Sequence, residues 1–185
     1  GNGFILKSSN GGTSWQNILQ TTTSNRLSGM HFIDPRWGWI AGSNGTVLKT
    51  TNGGSIWNRL TTGISFDLGD VFFTNSLLGW TVGGSGTILR TTDGGNSWSQ
   101  QNSPVSTNWR GIEFTYYPVG WIVGGDGLSH GRLAKSTDGG FSWNEVTSIS
   151  LQGGASEIQF TSANVGWIMA GSGIGGSIQS VYKTT

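Results

Sequence analysis

One nine-residue string occurs four times, as KSSNGGTSW (7–15), KTTNGGSIW (49–57), RTTDGGNSW (90–98) and KSTDGGFSW (135–143). A fifth copy starts at Lys183 and runs to Thr185. The closing tryptophans Trp15, Trp57, Trp98 and Trp143 lie 42, 41 and 45 residues apart. A period near forty residues in a Gly- and Trp-rich chain marks a repeat architecture, in which each unit leans on its neighbours. The repeat also limits functional readings. A residue present in every copy is most simply there to build every copy.

Two more strings recur in phase. One is WGWIAGSNG (37–45), LGWTVGGSG (78–86), VGWIVGGDG (119–127) and VGWIMAGSG (165–173). The other is SGMHFIDP (28–35), GDVFFTNS (69–76), RGIEFTYY (110–117) and SEIQFTSA (156–163). These segments are rich in β-branched and aromatic residues and bounded by Gly, Asn, Asp and Ser, the pattern of strands. No window holds a helical period, and Gly is too frequent for one to survive. Each unit therefore predicts four strands. The first carries Met30/Phe32, Val71/Phe73, Ile112/Phe114 or Ile158/Phe160 on one face by i, i+2 spacing. The second begins at the Gly-Trp pair, the third ends in the box, and the fourth starts at the box tryptophan. Four-stranded antiparallel units at this period are the sequence signature of an all-β fold, the β-propeller.

The predicted limits are a partial blade at 1–27, blades at 28–68, 69–109 and 110–155, and a partial blade at 156–185. Those limits give seventeen strands, one more than a closed four-bladed ring holds, so the expectation is a partial segment of a larger propeller. An open arc would leave unpaired edges and apolar faces suited to self-association. The other face of the first strand presents His31, Phe72, Glu113 and Gln159. Blades stack face to face, so a polar side chain there needs a partner or a watery channel. The hairpin between second and third strands lengthens in the later units, at 128–131 and 174–180, and unit-specific insertions collect on a binding face.

The box joins third and fourth strands. Asn10, Asn52, Asp93 and Asp138 share one position, where a side-chain oxygen accepts main-chain N–H groups in an Asx-type turn. The Gly pair supplies positive φ, and the Trp buries its ring and needs an acceptor for its N–H. Asn and Asp alternate there, which suits a hydrogen-bond acceptor and not a catalytic carboxylate.

Composition excludes much else. Ten basic and nine acidic residues give a formal net charge of +1, no footprint for nucleic acid. No apolar run is long enough to span a bilayer. Cysteine is absent, the two histidines have no partner at metal-ligand spacing, and single carboxylates per loop are too few for a calcium cage. No cofactor or metal is expected. Only four lysines occur, and a surface of Ser, Thr, Asn and Gly favours an exported protein, extracellular, periplasmic or lumenal. Asn44-Gly45-Thr46 is a glycosylation sequon, but it falls where other units carry turn residues and is read as a turn.

The strings resemble the Asp-box, or bacterial neuraminidase (BNR) repeat, Ser/Thr-x-Asp-x-Gly-x-x-Trp. With the Phe-containing strand and the Gly-Trp-x-x-Gly string, the whole chain looks like the photosystem II stability/assembly factor repeat family. That resemblance implies a non-enzymatic propeller of about seven blades that assists assembly, with an arginine patch near its channel. Arg110, in NWRGIEF, resembles one patch position and Arg26, in NRLSGMHF, is its nearest counterpart; the other units carry Asp67-Leu68 and Ala155-Ser156 there.

The expected function is thus a binding scaffold for a protein partner or for self-association, with carbohydrate a possible ligand. Arg26 and Arg110 are candidate contacts, as are Tyr117 and the two tryptophans outside the repeated positions, Trp37 and Trp109. Two alternatives are a structural subunit of an extracellular assembly and a glycosidase of sialidase or xyloglucanase type. A sialidase needs an arginine cluster and a Tyr nucleophile helped by a Glu, and Tyr116-Tyr117 near Glu113 is the one such cluster. No carboxylate pair recurs in a motif, so catalytic groups would have to lie in blades beyond this stretch.

Overall fold

The computed structural model describes residues 4–18, 24–126, 130–171 and 179–184. Among the described residues seventeen strands fall into five antiparallel sheets. β1 (Leu6–Lys7) and β2 (Gln16–Asn17) form a pair. Blade 1 is β3 (Leu27–Phe32), β4 (Gly38–Gly42), β5 (Thr46–Thr50) and β6 (Asn58–Leu60). Blade 2 is β7 (Leu68–Phe73), β8 (Gly79–Gly83), β9 (Ile88–Thr91) and β10 (Ser99–Gln100). Blade 3 is β11 (Trp109–Tyr116), β12 (Val119–Gly125), β13 (Gly131–Ser136) and β14 (Asn144–Glu145). Blade 4 has three strands, β15 (Gly154–Phe160), β16 (Gly166–Gly171) and β17 (Gln179–Lys183). The fold is a β-propeller segment, and no described hydrogen bond joins the β1–β2 sheet to blade 4.

First strands start one or two residues before the limits read from sequence, because each contains a bulge near its start. Fourth strands start one residue after the box tryptophan, whose ring packs inward at Trp57, Trp98 and Trp143, whereas Trp15 is exposed, against the expectation that every box tryptophan is buried.

Within each blade the first-strand Phe sits opposite the Gly of the Gly-Trp pair: Phe32↔Gly38, Phe73↔Gly79, Phe114↔Gly120 and Phe160↔Gly166. A Cβ on Gly120 would lie 2.6 Å from the Phe114 ring, so the ring occupies the space of a side chain that Gly lacks. This lets the next residue, Trp, project to the other face and meet the following blade. Trp39 stacks on Phe73 (3.7 Å between centroids), Trp80 on Phe114 (3.9 Å) and Trp121 on Phe160 (5.5 Å). Two residues on, Ala41, Val82 and Val123 join the clusters of Val71, Ile112 and Ile158. The core is therefore a series of blade-to-blade layers.

The box closes as its chemistry predicts. In blade 3 Asp138 Oδ1 accepts the N–H groups of Phe141 (3.1 Å) and Ser142 (3.0 Å), and Oδ2 accepts the Ser142 hydroxyl (2.6 Å). These donors hold the Asp138 carboxyl down at about 2, and Asp93 likewise. A second anchor escaped the sequence reading. The Ser136 hydroxyl donates to Asp138 Oδ1 (2.8 Å) and accepts the Gly140 N–H (2.8 Å), and Ser8, Thr50 and Thr91 repeat this. Gly139 and Gly140 take φ of 75° and 77°, as expected. One expectation fails: Nε1 of Trp57, Trp98 and Trp143 finds no acceptor among the described residues. For Trp57 the indole edge carrying it packs on the second box glycine, Gly54.

A basic residue ties the β1–β2 pair, blade 1 and blade 2 each to the following box. Lys7 Nζ donates to the Gly53 carbonyl (2.7 Å), Lys49 Nζ to Gly94 (2.9 Å) and Arg90 Nε to Gly139 (3.2 Å).

Candidate functional site

The first strands of successive blades lie side by side, and each is bulged at Ser28, Gly69, Arg110 or Ser156. A bulge bends its strand and re-aims a side chain. All four bulge residues line one concavity of about 590 Å³, together with Arg26, Ser43, Asp67 and Asn108. Close approach of backbones sets this geometry: a Cβ on Gly69 would lie 2.6 Å from the Trp109 carbonyl oxygen.

Arg26 and Arg110 both reach this concavity but are not register equivalents. Arg110 lies inside β11, in its bulge, and its counterparts are Ser28, Gly69 and Ser156. Arg26 precedes β3, and its counterparts are Asp67 and Asn108. The pairing of the two arginines as counterparts is corrected accordingly: Arg26 lies six residues before Phe32 and Arg110 four before Phe114, with the same bulge in both strands. Asp67 and Asn108 do structural work: Asp67 Oδ1 accepts the Asn44 N–H (3.0 Å), and Asn108 Oδ1 accepts the Ser85 N–H (3.3 Å). Each holds a hairpin tip whose φ is positive, 53° at Asn44 and 55° at Ser85. The sequon asparagine is thus bound into its turn. Neither arginine guanidinium has an ion-pair or hydrogen-bond partner among the described residues, and both residues are exposed. Two permanent cations with five donors each, at the rim of a polar hollow, match a carboxylate bidentately.

The other candidates fall elsewhere. Trp109 is 1% exposed and its Nε1–H donates to Ser103 Oγ (3.0 Å), so its indole anchors the strand and offers no contact surface. Trp37 is half-buried against Trp39, with Lys49 Nζ 5.1 Å above its ring, on the outer part of blade 1. Tyr117 is exposed, packs near Trp80 and Phe114, and covers the box at Gly139. Of the longer hairpins, residues 127–129 and 172–178 lie outside the described residues, and His130 sits 3.6 Å from Asp126.

The polar side chains on the first strands clasp neighbouring blades. His31 Nδ1 accepts the Phe73 N–H (3.2 Å), and Glu113 Oε2 accepts the Phe160 N–H (2.7 Å). At the junction between them Phe72 cannot accept, and Asp70 does so instead: Oδ2 accepts the Ile112 N–H (3.1 Å) and Oδ1 the Val71 N–H (2.8 Å). Sequence reading missed Asp70; its signal was the i, i+2 relation to Phe72. Burial raises Asp70 to about 7 and Glu113 to about 7, against the lowering by those N–H groups, and burial lowers His31. Among the described residues no cluster of His, Asp and Glu is arranged to hold a metal.

Residues 60–130 match the family model of the Photosynthesis system II assembly factor YCF48. No curated protein matches the sequence. Among solved structures, YCF48 bound to D1 peptide shares 24% identity over 88% of this chain and 56% of its own, with a TM-score of 0.64. YCF48 from Cyanidioschyzon merolae shares 18% over 90% and 59%, TM-score 0.63. The GH74 enzyme of Niastella koreensis shares 18% over 95% and 34%, TM-score 0.68. The chain spans 56–59% of the YCF48 chains it matches. The chain is thus a β-propeller, and its residues 60–130 resemble the photosystem II assembly factor model.

Proposed function

We propose that this chain is a non-catalytic binding scaffold whose hollow between the bulged first strands takes a carboxylate-bearing segment of a protein partner. The observation that carries this is the pair of unpartnered guanidinium groups of Arg26 and Arg110 on one rim. An arginine held in a bulge inside a propeller contributes nothing visible to the fold, so its position answers to a ligand. The related YCF48, bound to D1 peptide in its own structure, adds support for a peptide occupant. A Ser/Thr/Asn-rich surface with four lysines, all at box positions, supports an exported setting.

The likeness to a GH74 enzyme supports the fold and no more, and the carboxylates on the first strands favour the scaffold. Asp70 and Glu113 are spent on main-chain N–H groups of the next blade. The test is anisotropy of labelled acidic peptides, each with a free or amidated C-terminus, against the wild type and the Arg26→Ala/Arg110→Ala double variant. Binding should weaken at least about tenfold in the variant, as two charge-assisted contacts imply. The melting temperature should hold. Unchanged affinity, or loss of folding, would overturn the assignment.

A further inference from the structure

Three polar positions recur at the end of the blades opposite the arginine hollow. In the turn after the first strand, Asp34, Asn75 and Ser162 each accept two main-chain N–H groups: those of Arg36 and Trp37, of Leu77 and Leu78, and of Asn164 and Val165. In the box, the side chains of Thr13, Ser55 and Asn96 donate to the carbonyls of Asn10, Asn52 and Asp93. The basic position is Lys7, Lys49, Lys135 or Lys183. Where blade 2 meets the box of blade 3, all three change. Tyr116 stands at the turn position, and Pro118 removes one of the two N–H groups to be capped. Phe141 stands at the box position and Arg90 at the basic one.

The substituted side chains converge on Gly139. Arg90 Nε donates to its carbonyl (3.2 Å), and the guanidinium carbon lies 4.1 Å from the Phe141 ring centroid. Tyr117 packs over the same glycine, where a Cβ would lie 2.7 Å from its Oη. The rings stay at the surface: Tyr116 is 72% exposed, Tyr117 50% and Phe141 60%. Exchanging polar groups that brace two turns for exposed rings brings the fold no gain, so the rings answer to a ligand. The terminal N–H groups of Arg90 and the Tyr117 hydroxyl have no partner among the described residues. Asp138, exposed and ionised, lies in the same turn. Its Oδ2 accepts only the Ser142 hydroxyl among the described residues, so lone pairs remain there. The corner thus holds flat apolar rings, free donors and a free acceptor, and the Arg90 and Asp138 charges cancel.

We propose that this corner binds a neutral polysaccharide, whose pyranose rings lay their C–H faces on Tyr117 and Phe141 while their hydroxyls bond to Arg90, the Tyr117 hydroxyl and Asp138. A sugar hydroxyl both donates and accepts, which suits a site of mixed donors and acceptor without net charge. The positive edge of a C–H bond also suits the negative face of an aromatic ring. A proline-rich segment lies on aromatic rings too, but proline has no N–H to offer the Asp138 oxygen. An acidic polysaccharide would set its carboxylates against the same oxygen. The site is separate from the arginine hollow: Arg110 and Tyr116 lie at opposite ends of β11, about 20 Å apart at ~3.3 Å per residue. A peptide in the hollow and a glycan at this corner can therefore be held together.

Isothermal titration calorimetry with neutral hexasaccharides of β-linked glucose, xylose and mannose tests it, beside a galacturonate hexamer and decaproline. At least one neutral hexasaccharide should bind with a Kd between about 10 μM and 1 mM, the scale of a small contact with few hydrogen bonds. Phe141→Ser installs the residue that Ser55 supplies in blade 1, so the turn regains its cap and the fold is kept. Its Kd should rise at least about tenfold. Arg90→Lys keeps the bond that Lys49 makes to Gly94 but loses the planar fork, and should weaken binding about threefold to tenfold. Arg26→Ala/Arg110→Ala should bind the sugar as the wild type does, whatever its affinity for peptides. Absence of binding by all three neutral sugars, tighter binding of galacturonate or decaproline, an unchanged Kd in Phe141→Ser, or sugar binding lost in the arginine double variant would each overturn the proposal.

Discussion

The junction between blades 2 and 3 and the outer face of blade 1 are made from the same sequence positions, yet one is core and the other is surface. Phe114 is sealed between Trp80, stacked at 3.9 Å, and Trp143, edge-on at 6.0 Å. Among the described residues Phe32 has one aromatic partner, Trp57, edge-on at 5.9 Å. The repeat therefore encodes half an interface on each side of a blade, and burial is a property of neighbours rather than of the residue. In a quasi-one-dimensional array that is the expected form of the energetics, a sum of blade terms and nearest-neighbour terms.

The sharpest way to break the comparison is truncation. Phe114→Ala should cost about 3–5 kcal/mol, the range for a buried aromatic, while Phe32→Ala should cost about 1 kcal/mol or less because half its layer is absent. Urea unfolding followed by tryptophan fluorescence at low protein concentration reads both. Equal losses would mean that the outer face of blade 1 is covered in solution even as a monomer.

A smaller contrast lies in the boxes. Asp138 takes donors from Phe141, Ser142 and Ser136, whereas Asn10, in the β1–β2 pair, accepts from Ser14 and Ser8 and donates to Ser14. Asp138→Ala should cost about 1–2 kcal/mol and Asn10→Ala less, on the scale of lost hydrogen bonds to buried or turn N–H groups. Asp138→Asn should be close to neutral, since Asn10 shows the amide donating to the serine hydroxyl that otherwise donates to the acid. A large loss for Asp138→Asn, measured by thermal melting at pH 7, would mean the charge itself matters.

The fold was legible because the repeat states its rule four times. Strand number, the Gly-Trp second strands and the box chemistry follow from residue type and period alone. What stayed hidden depends on register across blades. Arg26 and Arg110 both precede a first strand but differ by two register positions, and only the bulge at Ser28 and Arg110 shows which side chain is re-aimed. Trp109 looks exceptional because it breaks the Leu pattern of Leu27 and Leu68, but breaking a pattern in the core only changes the packing. The convergence of four bulges on one hollow needs the arc itself, which no single repeat contains.

The finest contrast separates the clasps between first strands, and pH reads it. Glu113 has its ordinary value of 4.5 when unfolded and about 7 in the fold, raised by burial despite the Phe160 N–H, with Glu157 adding repulsion. The folded state therefore prefers the protonated acid. Its contribution to stability is complete below pH 4.5 and is lost as pH rises through about 7. Asp70 acts in the same direction between blades 2 and 3, and His31 in the opposite one: burial lowers it, so its contribution is lost as pH falls below 6.5. Glu113→Gln keeps an oxygen to accept the Phe160 N–H and cannot ionise. It should melt with the wild type at pH 4 and a few degrees above it at pH 8, a small shift because the carboxyl is only half-buried. A variant less stable than the wild type at pH 8 would mean that the ionised carboxylate, not the neutral acid, closes the junction between blades 3 and 4.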